Sequence, residues 1–511
     1  MPPTSVRIAN IARIGFNQKN KSAISVTGIR SWLLPRPLGP NSELLGRLGY
    51  VANERMTPVP PVQVEQPDPA DIRQNRTTAR AQSWQAFAIE YSSIVVGQVV
   101  ALLCSLWVVK ILTSRLNSAQ YGELALGLTL GGLATQLCYG PLQQATLRYF
   151  APSLEADSGP SCYFAVKSIL KRLNVYTAVV GAGFVIAIGV TFSEHWGCFA
   201  AAAILVALLG GNERVVDAFQ ASSRNRLVVA SHQILWPVLR GCFAITLIHL
   251  FGASSTAAMS AFACASVVLV TSQIVAFRTK FRRVVNPHMH SAMDTGRWRQ
   301  RLKEYAWPFA TWGLFSWLQQ SSDRWAIQIT GDTQNVGKFA VLSQLGYAPT
   351  VLGLSSVVAF IQPIIFSRAG EGRDQERLRS ARRINLVIVI GFLLATVLGV
   401  YGAFSYHAEI FRMLTGPAFN DTSYLLPWMV LSAGLYSTSE AASMLFMSSA
   451  TTKKLVAPKI VLSILGTVFN YCGAYLDGIR GVVCASLLFS CISILWVAAL
   501  ALKVSREAHA A

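Results

Sequence analysis

The chain has 511 residues, of which 52% are hydrophobic and only 13% are charged, about half the charged fraction of an average soluble protein. This composition excludes a chain disordered throughout, a disulfide scaffold and an ordinary cytosolic enzyme. It favours a protein that crosses a membrane several times. The net charge of +20 then poses the question of whether the cations lie in loops on one side of the bilayer.

Residues 1–84 differ in composition from the remainder. They are rich in proline, as in Pro58-Val59-Pro60-Pro61, and contain no apolar run of spanning length. No acid precedes Glu43, a feature shared with organelle transit peptides. We prefer the plainer interpretation of a disordered, basic cytoplasmic region, or of a true start further downstream, with Met56 as the candidate.

Apolar segments of about 20 residues, the length that crosses the ~30 Å hydrocarbon layer as a helix, recur from there to the end of the chain. We predict twelve transmembrane helices, at roughly 86–112, 119–142, 173–193, 197–219, 229–251, 255–277, 305–329, 337–365, 384–405, 423–447, 456–476 and 481–502.

The loops between these segments alternate in charge. The loops at 278–304 and 366–383 are rich in arginine and lysine, whereas those at 193–196 and 252–254 contain no lysine or arginine. Cationic loops stay on the cytoplasmic side, so the alternation predicts that both termini are cytoplasmic. Most of the positive charge then serves to orient the protein in the membrane. We therefore expect membrane lipids, and no nucleic acid, as partners.

Two internal similarities indicate a duplication. Gly122 and Gly337, 215 positions apart, each begin a helix after a short polar turn, and the segments 222–228 and 450–456 are also similar. We predict an all-α polytopic membrane protein whose two six-helix lobes enclose a central cavity. The lobes would span 85–277 and 305–502, joined by a basic cytoplasmic linker at 278–304 and followed by a cytoplasmic tail at 503–511.

Four short runs resemble a known family: QYGELA at 120–125, YGPLQQATLRY at 139–149, QQSSDR at 319–324 and VGKFA at 336–340. They are similar to the O-antigen and exopolysaccharide flippases of the multidrug/oligosaccharidyl-lipid/polysaccharide (MOP) superfamily. The resemblance covers about 85–502. It implies a V-shaped bundle that moves a polyprenyl-diphosphate-linked oligosaccharide across the bacterial cytoplasmic (inner) membrane, with polysaccharide polymerase and glycosyltransferases as candidate partners.

Arg240 is the clearest charge inside a predicted span, about eleven residues into its helix. Gln233, Trp236 and Pro237 lie on the same helical face. A guanidinium fork suits the oxygens of a lipid diphosphate, so Arg240 is a candidate substrate-binding cation of the cavity. The alternative is a structural salt bridge with a neighbouring acid.

Asp323 and Arg324 follow Gln319 and Gln320 in the seventh predicted span. Arg324 is a second candidate for contact with the substrate, and the two glutamines are candidate polar residues of the cavity. Asp323 either holds a coupling ion or pairs locally near the exterior turn.

Glu90 and Gln98 lie on one face of the first predicted span, and Glu440 lies in the tenth. Glu440 has no cation close to it in sequence, so it is, with Asp323 and Glu90, a candidate site for coupling H⁺ or Na⁺. For Glu213, with Arg214 and Asp217 beside it, an internal ion-pair network is the favoured interpretation.

The tryptophans at 312, 317 and 325 form a stripe that would either stack against sugar rings or face lipid. Nine scattered cysteines without a CxxC pair, and no cluster with metal-ligand spacing, predict that no cofactor, disulfide or metal is present.

Two functions compete with the flippase. A drug/cation antiporter of the same superfamily would favour acidic cavity walls. A membrane-embedded polysaccharide polymerase or ligase would typically need a large exterior loop, and the longest one predicted here, 405–422, is short. We therefore predict a transporter rather than an enzyme.

Overall fold

A computed structural model describes residues 96–223, 225–286, 291–369, 375–448 and 453–510. Throughout these ranges the regular elements are helices and no strand occurs, which confirms the all-α prediction. The predicted N-terminal region 1–84 lies outside the described residues. In chain order, the helices are α1 (described over Val96–Arg115), α2 (Ser118–Ala134), α3 (Gly140–Glu155), α4 (Gly159–Thr191), α5 (Glu194–Ser222), α6 (Arg226–Phe251), α7 (Ser255–Lys280), α8 (Arg282–Val285), α9 (Ala292–Thr330), α10 (Thr333–Ala369), α11 (Gln375–Leu414), α12 (Leu426–Ser448) and α13 (Lys453–Ala510).

Seven helices in the described part of the chain are long and apolar enough to cross a bilayer. The protein is therefore a multi-pass membrane protein. The other predicted spans also lie on helices, namely α2, α9, α10 and α12. The count of twelve spans and the cytoplasmic location of both termini stay predictions.

Helix α13 contains two of the predicted spans. Its backbone leaves the helical region at Asp477 and Gly478, and the φ angle of Gly478 is 52°, a conformation that glycine adopts without strain. A Cβ on Gly473 would overlap the carbonyl oxygen of Gly481. The absence of side chains at both positions lets the two segments approach closely on either side of the bend.

Helices α2 and α3 are joined without a break by a π-helical turn, Thr135–Tyr139. Such a turn inserts one residue into the helical ladder and is frequent at functional sites. The Tyr139 hydroxyl donates to Asn174 of α4 at 2.9 Å. This hydrogen bond joins the turn to α4. The turn also contains Gln136, which lines the cavity described below.

The predicted linker 278–304 is shorter than expected, because helix continues from both sides into it. α7 extends to Lys280 and α9 already begins at Ala292. The first turns of α9 are amphipathic: Leu302 is buried in an apolar cluster with Phe150 and Phe277, while the arginine at 297 is exposed. An apolar stripe on an otherwise basic segment is typical of a helix at the membrane surface, as an amphipathic linker at 278–304 predicts.

The largest apolar core lies between the two halves of the chain, which are helices α1–α7 and helices α9–α13. Tyr121 and Phe262 of the first half pack in one cluster with Phe339, Phe419 and Met429 of the second. The rings of Tyr121 and Phe419 stand edge to face at 5.7 Å between centroids. Tyr121 and Phe262 of this core also line the cavity described below.

Candidate substrate cavity

A cavity of about 300 Å³ lies between the two halves of the chain. Helices α1, α2, α5, α6 and α7 form one side of it, and α9 and α10 form the other. Its polar wall includes Tyr121, Thr129, Gln136, Arg214, Arg240, Gln320, Ser321, Arg324 and Gln344. Three of these are arginines, and no acid of the described chain lines the cavity.

Arg240 is held between two aromatic rings. Its guanidinium carbon lies 3.5 Å from the centroid of Trp236 and 4.4 Å from that of Phe262. Stacking fixes the plane of the guanidinium and leaves its edge as the donor surface. Trp236 precedes Arg240 by one helical turn, as the sequence predicted.

The guanidinium of Arg240 is not paired with an acid. No described carboxylate lies within 4 Å of it, and its Nε has no hydrogen-bond partner. Glu213 attracts Arg240 electrostatically from a greater distance. The arrangement differs from the structural salt bridge that was the alternative interpretation.

Arg324 also lines the cavity, and its Nε is buried without a hydrogen-bond partner. Asp323 is not in the cavity wall. Its carboxylate accepts a hydrogen bond from the backbone N–H of Arg324 at 2.7 Å. This is the local pairing considered from the sequence, and the role of Asp323 in ion coupling stays a prediction.

A second space, of about 460 Å³, adjoins the first and shares Ser105, Arg214 and Trp236 with it. Gln98 and Gln233, both predicted as polar cavity residues, line this space. The Gln98 side chain accepts a hydrogen bond from the Ser356 hydroxyl of α10, so it also links the two halves.

The acids Glu213 and Asp217 lie in this adjoining space with His232. No ion pair within 4 Å joins Glu213, Arg214 and Asp217 among the described residues, but Arg214 attracts both acids electrostatically from a greater distance, and the predicted network stays a prediction. Arg214 lines both this space and the first cavity.

A third space, of about 220 Å³, lies within the second half. It is lined by Gln319, Tyr436, Glu440 and Lys459. Gln320 lines both this space and the first cavity, which we call the arginine cavity after Arg214, Arg240 and Arg324. The two cavities therefore adjoin each other at the Gln320 side chain.

Glu440 forms an ion pair that the sequence did not indicate. Lys459 Nζ lies 2.9 Å from Glu440 Oε2, and the same ammonium lies 5.0 Å from the ring centroid of Trp312. The interpretation of Glu440 as an acid without a nearby cation was wrong, because its partner is 19 positions away, on α13. Glu90, the remaining coupling candidate, lies outside the described residues.

The three tryptophans of the α9 stripe differ in their contacts. The indole N–H groups of Trp317 and Trp325 donate to the carbonyl and the hydroxyl oxygen of Thr129, at 2.7 and 2.9 Å. They fasten α9 to α2 across the cavity. Trp312 lines the third space, where the Lys459 ammonium lies over its ring.

Sequence reasoning missed several wall residues. Gln136 and Gln344 carry no charge and stand alone in apolar runs, so nothing in the sequence distinguishes them from helix-packing residues. Arg214 was noticed but assigned to an ion pair.

The fold is similar to that of known transporter structures. No family model and no curated protein matches the chain. An inward-facing multidrug resistance MATE family transporter of the MOP superfamily matches with a TM-score of 0.62 and 13% identity, over 82% of this chain and 99% of that one. A MATE transporter from Vibrio cholerae matches with a TM-score of 0.56 and 15% identity, over 83% and 98%.

A MOP superfamily transporter from Pyrococcus furiosus, whose binding pocket is described as having reverse polarity that suggests a different function, matches with a TM-score of 0.55 and 12% identity. That match covers 80% of this chain and 94% of the other. The chain therefore has the fold of MOP superfamily transporters.

Proposed function

We propose that the protein is a flippase that moves a polyprenyl-diphosphate-linked oligosaccharide across the bacterial cytoplasmic membrane by alternating access. The observation that carries this proposal is the set of three arginines, Arg214, Arg240 and Arg324, in the wall of one cavity between the halves, a wall that no acid of the described chain lines.

A diphosphate cannot cross the hydrocarbon layer unaided, because transferring each charge into a low-dielectric medium costs several kcal/mol. Arginine donors offset this cost through paired, charge-assisted hydrogen bonds. The guanidinium of Arg240 is already oriented by Trp236 and Phe262, so little side-chain freedom is lost when an anion binds.

The residues that line the third space are suited to bind the sugars of the headgroup. It combines the amide of Gln319 and the hydroxyl groups of Tyr436 and Ser439 with the ring of Trp312. Sugars offer hydroxyl groups to the former and an apolar ring face to the latter. Because this space adjoins the arginine cavity at Gln320, a headgroup with its phosphates at the arginines would extend its first sugars into it.

Alternating access is supported by the closure of one end of the cavity. Lys110 Nζ donates to the carbonyl oxygens of Thr415 and Arg412 at 2.6 and 3.1 Å, which joins α1 to the end of α11. These residues lie at the end that the loop charges place outside. The TM-score is also higher for the inward-facing MATE structure, 0.62, than for the outward-facing one, 0.53.

Return of the empty transporter is proposed to be coupled to inward flow of H⁺ or Na⁺. Glu440, Asp323 and Glu90 are the candidates. Of these, Glu440 lines the space that adjoins the substrate cavity. Because Lys459 pairs with its carboxylate, a coupling ion would compete with the Lys459 ammonium for Glu440.

A drug/cation antiporter is the second candidate, since the structural neighbours include MATE transporters described as conferring multidrug resistance. A cationic drug would meet three arginines in the cavity wall, and like charges in a low-dielectric site repel strongly. The polarity of the cavity therefore favours an anionic substrate.

The test is Arg240→Ala in the native host. We expect polymer export to fall about tenfold or more, the effect of losing one charge-assisted hydrogen-bonding group, at unchanged protein abundance. Arg240→Lys retains the charge without the fork and should give an intermediate loss. Arg297→Ala, which removes an exposed arginine paired with Asp294 at 3.6 Å, is the matched control and should export normally.

Drug susceptibility is measured in the same strains. Normal export by Arg240→Ala, at equal abundance, would overturn the proposed role of Arg240. Loss of drug resistance on deletion, with export unchanged, would establish the antiporter instead.

A further inference from the structure

A groove of about 640 Å³ runs along the outer surface of the first half, between α4, α5 and α7. It shares no lining residue with the arginine cavity or with the third space. Apolar side chains form most of its wall, namely Leu170, Val175, Leu205, Leu208, Val216 and Phe277. Its contents are thus independent of the substrate pathway.

One end of the groove is cationic. Lys167 and Lys171 of α4 and Arg278 of α7 line it there, and all three are exposed. The Arg278 side chain lies beside the Tyr163 hydroxyl, and Lys167 Nζ lies 5.7 Å from the Phe164 ring centroid. No acid of the described chain lines the groove, so the cations face it without a local counter-charge.

The length of the groove fits one leaflet. On α4, the wall from Lys167 to Ala178 rises by about 16 Å at the helical rise per residue. Half of a hydrocarbon core is about 15 Å thick. A chain lying in the groove with its polar end at the cations would therefore end near the middle of the bilayer.

The wall is rigid at its centre. Asn174 of α4 and Asn212 of α5 exchange two hydrogen bonds, at 2.9 and 3.0 Å, and Asn174 also accepts from the Tyr139 hydroxyl at 2.9 Å. These amides satisfy one another and hold α4 against α5. Among the residues that line the groove, Lys167, Lys171 and Arg278 are the charged ones, and none of them forms an ion pair within the described chain.

We propose that this groove is a binding site for an anionic phospholipid of the cytoplasmic leaflet. One acyl chain lies between α4, α5 and α7, and the phosphate and anionic headgroup contact Lys167, Lys171 and Arg278. Charge complementarity selects an anionic over a zwitterionic lipid, since each cation near an anionic lipid strengthens binding. The separation of the groove from the cavity favours a resident phospholipid over the transported polyprenyl lipid.

The test is native mass spectrometry of the purified full chain in detergent with equal amounts of phosphatidylglycerol and phosphatidylcholine. We expect bound phosphatidylglycerol to predominate in the wild type. The triple variant K167Q/K171Q/R278Q should lower the ratio of bound phosphatidylglycerol to phosphatidylcholine by about tenfold or more. The matched control R282Q/R297Q/R383Q loses three exposed arginines outside the groove and should keep the ratio.

A second pair of variants tests the apolar part. Ala178→Trp fills the groove near mid-bilayer and should reduce bound phospholipid, whereas Val180→Trp, on the exposed face of α4 outside the groove, should not. Equal ratios in the two triple variants would overturn the proposal. So would displacement of phosphatidylglycerol by an equimolar polyprenyl monophosphate, which would assign the groove to the polyprenyl lipid.

Discussion

Gly122 of α2 and Gly337 of α10, the pair of glycines repeated in the two halves of the sequence, stand opposite each other in the structure. A Cβ on Gly122 would lie 3.0 Å from the backbone nitrogen of Gly337, and a Cβ on Gly337 would lie 3.0 Å from that of Gly122. Each would also overlap a backbone oxygen of the facing helix, that of Thr333 or Ser118. Equivalent positions of the two halves thus form a close backbone contact, at the end that the loop charges place outside.

Substitution of this contact should loosen the closed end. Gly122→Ala and Gly337→Ala each place a methyl group against backbone, which cannot move aside as a side chain does, and overpacking costs about 1–3 kcal/mol. We expect the melting temperature of the purified protein to fall in both variants. Gly353→Ala, also on α10 but with no atom within 4 Å of the added Cβ, is the control. Equal melting temperatures in all three variants would contradict the close contact.

Lys110 should hold the same end closed. Near a predicted helix end a lysine side chain commonly extends to the headgroups, but here its ammonium donates to two carbonyl oxygens of the other half. Lys110→Met retains the apolar stem and removes these bonds. We expect a cysteine placed at Ser321, in the cavity wall, to react faster with an impermeant thiol reagent added from outside, in a background without native cysteines.

Arg115→Met provides the comparison, because Arg115 lies on the same helix and is exposed. It should leave the labelling rate unchanged. Identical labelling rates in the Lys110 and Arg115 variants would show that these carbonyl contacts do not keep the exterior end closed.

The Glu440–Lys459 pair should behave as a coupled unit. Glu440→Gln or Lys459→Met alone leaves one half-buried charge without its partner, whereas the double variant leaves none. We expect the double variant to be less destabilised than the sum of the single variants, with a coupling free energy of about 0.5–3 kcal/mol. Thermal unfolding of the four proteins in one detergent measures it, and strict additivity would argue against the pair.

Thr129 should fasten α9 to α2 through its hydroxyl group. Thr129→Val retains the shape of the side chain and leaves the Trp325 N–H, which donates at 2.9 Å, without an acceptor. We expect a loss of about 1–3 kcal/mol and a shift in tryptophan fluorescence. In a Trp325→Phe background the same Thr129 substitution should cost less, and an undiminished cost there would refute the role of this hydrogen bond.

Much of the architecture follows from the sequence because lipid imposes a simple rule: long apolar runs must be helical. The predicted break between 476 and 481 coincides with the bend at Gly478. Helix ends in water were harder to place, since amphipathic turns such as those at the start of α9 have no continuous apolar signal.

The candidate site was only partly predictable. Arg240 and its Trp236 neighbour belong to one helix, and helical spacing places them on one face. The partner of Glu440 and the cavity position of Arg214 depend on how helices pack against one another, and packing between distant segments leaves no trace in the spacing of residues along one helix. Gln319 was placed near the cavity, but in the structure it lines the third space.

The central claim is that the arginine cavity carries an anionic glycolipid headgroup, and translocation in proteoliposomes tests it most directly. Purified protein is reconstituted with a polyprenyl-diphosphate-linked oligosaccharide, and the fraction that becomes accessible to an impermeant glycosidase is followed over time. We predict translocation by the wild type and the Arg297→Ala control, and a rate about tenfold or more lower for Arg240→Ala and Arg324→Ala. Equal rates in all four proteins, or no translocation by a wild type that exchanges cationic drugs for protons, would contradict the account.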